Sequence, residues 1–174
     1  MELNNAIKTI FERKSVRSFD NKPIGKDQLE LILKAGMAAP SARNLQPWSF
    51  IVVTDRDIMN TLADRLPYAK MLHEASAAIV VCGVPENAGD SPEGYWVQDC
   101  SAATQNILLA IESMGLGAVW TGVYPRPDRI DVVREVLSIP KTIFPLNVIP
   151  VGYPKGENRP KDKFKPENIR WEKW

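Results

Sequence analysis

Histidine is almost missing from this chain: His73 is the only one in 174 residues. That excludes a histidine-rich metal site and makes a Ser-His triad improbable. Cysteine is nearly as scarce. Cys82 and Cys100 stand inside apolar or helical runs at no metal-binding or redox-motif spacing, as two reduced, buried thiols of a cytosolic protein would. Charge of one sign is lacking too. A formal net charge of +1 gives no global field to recruit nucleic acid or an acidic membrane, so any anion site has to be local. No uninterrupted apolar run approaches ~20 residues, so no membrane-spanning helix is expected. The opening MELNNAIKTIFERK lacks the basic-then-apolar pattern of a secretory signal, and a cytoplasmic location is the expectation. With so little nucleophilic or metal-binding equipment, chemistry here is expected to reside in a bound cofactor.

What is present reads as an ordinary globular chain, 44% hydrophobic and 25% charged, long enough for one domain, 1–174, with a sizeable core. Leu3, Ile7, Ile10 and Phe11 share one helical face and mark a first helix. KDQLELILKAGMAA forms a second, with Leu29, Ile32 and Leu33 inward and Pro40 as its stop. SFIVVT (49–54) and AAIVVCGV (77–84) read as buried strands. Between them DRDIMNTLADRL (55–66) is a helix capped by Asp55 and ended by Pro67. PENAGDSPEG (85–94) is loop. The long apolar helix YWVQDCSAATQNILLAIESMG follows, its Ser101, Ala102 and Ala103 small enough for close helix packing. AVWTGV is a short strand, DRIDVVREVLS an amphipathic helix and PLNVIPVGY a final core strand. About four strands and five helices in mixed succession predict an α+β or α/β fold.

Four stretches are not explained by folding alone. ERKSVRSF sets Arg13, Lys14, Ser15 and Arg17 close together after a helix, and PKDKF adds Lys161 and Lys163 near the other end. Each cluster on its own reads more naturally as a solvated basic face. Both together, in a chain of nearly zero net charge, suit convergence on one phosphate. PSARNLQPW (40–48) puts polar side chains and an aromatic into a connector that needs only to turn. GLGAVWTG has glycines but follows a helix and has Trp120 where a dinucleotide fingerprint wants its third glycine, so it is no Rossmann loop. Gly115 there is a helix stop, and Gly122 a place where backbone comes close to something flat. The tail from Tyr153 to Trp174 carries Phe164, Trp171 and Trp174, costly to leave in water. A disordered tail and an arm lying across a partner subunit both accommodate it, and the aromatics favour the arm.

RKSVRSF, PSARNLQPW, YWVQDCSAATQNILLAIESMGLGAVWTG and VGYP…RPKDKF, in this order over nearly the whole chain, resemble the FMN-dependent nitroreductase family. The resemblance implies an α+β fold with a central mixed or antiparallel sheet flanked by helices. It also implies an intertwined homodimer holding FMN at its interface, the tail exchanged as an arm.

Position by position, it implies that Arg13 and Ser15, within the run Arg13, Lys14, Ser15 and Arg17, approach the ribityl phosphate, and that Arg17 lies nearer the polar edge of the isoalloxazine. Pro40, Ser41, Ala42 and Asn44 would reach the flavin of the other subunit. Thr121 and Gly122 would bring backbone amides to flavin N5 and O4, and Asp99 would sit by the ring. Lys161 and Lys163 match a C-terminal phosphate clamp; the family more often has Arg at the second position, so the charge is kept and a bidentate donor lost.

The implied activity is two-electron transfer from NADH or NADPH, by a ping-pong cycle, to a nitroaromatic or quinone-type acceptor. Other FMN oxidoreductases on the same fold, with an enoyl-reducing or dehydrogenating activity, and a flavin-binding protein without turnover are the competing expectations.

Overall fold

The computed structural model describes residues 4–89 and 94–174. Its sheet is organised around the last strand predicted from the sequence, β6 (Phe144–Pro154), buried from residue 145 to 152. β3 (Ala77–Gly83), buried at every position, pairs antiparallel with it from Ala77↔Val151 to Gly83↔Phe144. β2 (Trp48–Val53) pairs on the far side of β3, which makes the order β1-β6-β3-β2. Here β1 is Phe19–Asp20, and the two-residue strands β4 (Gly117–Ala118) and β5 (Thr121–Gly122) also pair with β6.

Strands buried on both faces need cover on both. Alternation supplies the two faces: Ala78, Val80, Cys82 and Val148 join one core cluster, while Ile79, Val81, Ile149 and Val151 join the other. On the first, α3 (Arg56–Arg65) contributes Met59, Leu62 and Ala63, and α5 (Pro127–Leu137) contributes Ile130 and Val133. On the second lie Ile32 of α2 (Lys26–Met37) and Cys100, Ile107, Leu108 and Ile111 of α4 (Trp96–Ser113). α2 and α4 touch where Gly36 omits a side chain; a Cβ there would stand 2.8 Å from Ile107 Cγ1.

The ends of these elements follow local chemistry. Asp55 accepts the Ile58 amide at 3.0 Å and caps α3 as its position predicts. Asn4 does the same for α1 (Asn5–Glu12), accepting from Ile7 N at 3.0 Å. Leu3, on the predicted first helical face, lies outside the described residues, as do residues 90–93 of the predicted loop.

The fold is α+β with antiparallel ladders throughout, the isolated Ser15–Ala118 bridge being parallel. Among the described residues six strands stand where the sequence predicts about four. β1 lies between the first two predicted helices, where no strand is expected, and AVWTGV splits into β4 and β5 around Val119 and Trp120. Two-residue strands are defined by the partner they pair with and carry no periodicity of their own. Among the described residues, no helix is long and apolar enough to cross a membrane.

Two segments bury almost nothing. α1 has no buried residue, and its apolar Ile7, Ile10 and Phe11 are exposed. Every residue from 159 to 174 is exposed, Phe164, Trp171 and Trp174 included.

Candidate functional site

The RKSVR run is laid out by one apolar residue. Val16 is buried, its N–H donates to the Ala118 carbonyl at 2.9 Å, and Ser15 bridges Ala118. The strand approaches this closely because residue 117 is glycine; a Cβ would meet the Val16 side chain at 2.8 Å. In extended backbone side chains two apart share a face, so Ser15 and Arg17, both exposed, point away from Val16. Lys14 goes the other way and pairs with Glu112 of α4 at 2.5 Å, both side chains mostly covered. Arg13 is half-buried at the C-cap of α1.

Arg17 borders a cleft of about 220 Å³ whose wall is the β4–β5 segment, with Trp120, Thr121 and Gly122 facing Tyr68 and Arg129. Thr121 is turned into the sheet, its hydroxyl donating to the Val148 carbonyl. Gly122 has no such duty. Its φ is not in the left-handed region, and a Cβ would find no atom within 4 Å. Neither backbone nor packing requires glycine there, so its effect is a flat, open patch of main chain facing the cleft. Arg129, in the first turn of α5, donates from Nη1 to the Gly122 carbonyl at 2.9 Å. Among the described residues, no carboxylate lines this cleft. Its two guanidinium groups and bare backbone suit a flat ligand that carries or gains negative charge.

The loop around PSARN is held by its own side chains in conformations that non-glycine residues avoid. Arg43, Asn44 and Gln46 have φ of 51°, 57° and 51°. Ser41 Oγ accepts from Gln46 N at 2.9 Å, and Asn44 Oδ1 accepts from Gln46 Nε2 at 3.2 Å. Asp99, buried in the first turn of α4, accepts from Ala42 N at 3.1 Å and so ties the loop to that helix. Pro47 is buried and Trp48 packs on the core, aiming β2. Arg43 lies against Gly89, its Nη2 2.8 Å from where a Cβ would be. Pro40, Ser41, Ala42 and Asn44 do not line the Arg17 cleft of their own chain. Lys161 and Lys163 stand exposed on the tail.

Both cysteines are buried, and burial pushes each thiol up to about 12, which leaves them protonated and inert at neutral pH. Among the described residues, no cluster of His, Cys, Asp and Glu could hold a metal ion. A second cavity of about 670 Å³ is an apolar groove between α1, α2 and α4, lined by Ile10, Leu31, Ala35, Leu109 and Met114 among others.

The Nitroreductase family model matches residues 10–66 and 63–153, which take in the Arg17 cleft and the PSARN loop. The chain belongs to the nitroreductase family. It is 46% identical over 175 residues to a protein of Archaeoglobus fulgidus with the provisional name NADH dehydrogenase/NAD(P)H nitroreductase, covering 99% of this chain and 100% of that one. A crystal structure under the same provisional name, from Parabacteroides distasonis, is 51% identical and superposes with a TM-score of 0.94, covering 99% of this chain and 100% of that chain. The NADPH:FMN oxidoreductase of Vibrio harveyi complexed with NAD+ is 29% identical with a TM-score of 0.85, over 98% of this chain and 78% of that chain.

Sequence reasoning missed Tyr68 and Arg129. Tyr68 directly follows the helix-ending Pro67 and holds a φ of 62°. Arg129 had a signal: cations at a helix N-terminus oppose the macrodipole, and Arg126 stands at the N-cap of α5 with Arg129 in its first turn.

Proposed function

We infer that the chain is an FMN-dependent NAD(P)H oxidoreductase that passes two electrons, by alternating half-reactions at one flavin site, to nitroaromatic or quinone-type acceptors. The observation that carries this is the open Gly122 surface between Arg17 and Arg129, in a cleft without carboxylates. FMN, when bound, supplies the hydride-accepting chemistry. The protein's part is to hold and orient it and to tune its charge. Thr121 and Gly122 offer the flat backbone seat, and Arg17 a cation for the polar edge of the ring. Arg13 and Ser15, with Lys161 and Lys163, are the phosphate donors of this reading. Lys14 is already committed to Glu112 and supports the run rather than the ligand. Asp99 acts through Ala42, holding the loop whose Ser41 and Asn44 serve the site of a second copy.

That second copy is part of the proposal. The exposed apolar face of α1 and the groove beside it are what a homodimer would bury. β2 is the edge of the sheet, and a tail with Phe164, Trp171 and Trp174 in water suits an arm that lies across a partner. The single domain 1–174, with 153–174 as its arm, then functions only as a pair, in the cytoplasm, without nucleic acid or membrane.

The test is FMN titration of the purified protein, followed by quenching of FMN fluorescence with molar mass measured in parallel. Saturation at one FMN per chain in a dimer is expected. A colourless protein that takes up no added FMN would overturn the assignment.

A further inference from the structure

Arg129 brings a second guanidinium to the Arg17 cleft. It sits on α5, far in sequence from the N-terminal basic run, yet faces Arg17 across the same cleft. Its Nη1 is fixed on the Gly122 carbonyl at 2.9 Å. The next amide, Val123 N–H, donates to the Leu146 carbonyl at 3.0 Å, so the Gly122–Val123 peptide is held from both ends. Arg129 Nε is buried and has no partner among the described residues. A buried guanidinium N–H left without an acceptor is costly, and a helix N-terminus is an unfavourable place for a cation. No carboxylate among the described residues lines the cleft to offset the charge. Two unfavourable terms kept in one side chain suggest that its charge serves the cleft.

We propose that Arg129 is a positioning residue for the flavin site, one that locks the Gly122 backbone and lends a fixed positive charge beside it, thereby favouring the reduced, more negative form of the ring over the oxidised one. This rests on the FMN reading above and adds a residue that acts through Gly122. The physical basis is that a charge held rigidly in a partly desolvated cleft stabilises negative charge that appears only on reduction, with no reorganisation at that moment. Arg17 and Arg129 then divide the work: Arg17, exposed, would meet the ring edge, while Arg129, anchored on the Gly122 carbonyl, acts from the opposite wall of the cleft.

The experiment compares FMN-loaded wild type, Arg129→Met and Arg129→Lys, measuring the reduction potential against a reference dye without oxygen. FMN affinity and the melting temperature of the FMN-free proteins are recorded alongside. Arg129→Met is expected to bind oxidised FMN within a few-fold of wild type but to lose about tenfold in preference for the reduced form, a shift of about 30 mV to more negative potential for a two-electron couple. Arg129→Lys keeps the charge without the fork and is expected to recover most of that shift. Arg129→Gln serves as the neutral variant if the methionine protein does not fold. An unchanged potential in an FMN-loaded neutral variant would overturn this inference and leave the FMN assignment standing. A wild type that takes up no FMN would overturn both. Equal shifts in the lysine and neutral variants would also overturn it, because they would trace the effect to packing rather than charge.

Discussion

Between Ala77 and Gly83 every residue is buried, whereas between residues 159 and 174 none is. Both stretches hold large apolar side chains, but only the first has neighbours for them. β3 is enclosed by β2, β6 and helices on each face, so one chain completes that environment by itself. The tail and α1 expose Phe11, Phe164, Trp171 and Trp174, and nothing among the described residues covers them. The difference separates what the chain needs in order to fold from what the proposed enzyme needs in order to work. Burial fixes the sheet, and the sheet fixes the Arg17 cleft through β4, β5 and β6. The ends are what the proposed second copy would cover.

Removing residues 155–174 should break the comparison most sharply. The shortened chain is expected to keep its helix and strand content by circular dichroism while losing FMN uptake altogether, because Lys161 and Lys163 leave with the arm. Retained FMN binding at full affinity would show that the tail serves neither partner nor phosphate. Ile149→Ala attacks the other side of the comparison. Ile149 is fully buried, so its truncation should lower unfolding free energy by about 2–5 kcal/mol in denaturant titration.

Gly122→Val tests the cleft without touching the core. Open space around its Cβ predicts a melting temperature of the FMN-free protein close to wild type, with surface-like changes of about 0.5 kcal/mol or less, and loss of FMN binding. A variant that binds FMN normally would remove Gly122 from the site.

The smallest effect concerns Arg65 and Glu135, which join α3 to α5 at 2.6 Å on the surface. The hydrogen bond from Arg65 holds the Glu135 carboxyl below its ordinary value of 4.5. A lowered carboxylate contributes stability above its unfolded pKa and loses it as pH falls through the folded one. Thermal melts of wild type and Glu135→Gln should therefore differ slightly at neutral pH and converge in acid below that carboxylate range. The exposure of both groups keeps the difference small.

The sequence made the enclosed part of this molecule readable and the joined part much less so. AAIVVCGV and PLNVIPVGY announce buried strands because burial on both faces leaves a continuous apolar run. Asp55 announces a helix start because its cap partner, Ile58, is three residues away. Lys14 could not be separated from Arg13 and Arg17 in the same way, since its partner Glu112 is distant in the chain. Asp99 was placed beside a flavin from resemblance, and its contact with Ala42 N belongs to tertiary structure. Tyr68 and Arg129 reach the cleft only because α3 and α5 pack on one face of the sheet. β1 was illegible for the same reason, and AVWTGV reads as one strand rather than two, since β1, β4 and β5 each exist as strands only through β6.

The most direct measurement of the central claim is the first half-reaction alone. FMN-loaded protein is mixed without oxygen with NADH or NADPH, and the yellow flavin band is followed before any acceptor is added. The account predicts bleaching by at least one of the two, then full recovery of colour on adding menadione or a nitrofuran. A bound flavin that stays yellow with both nucleotides would contradict it.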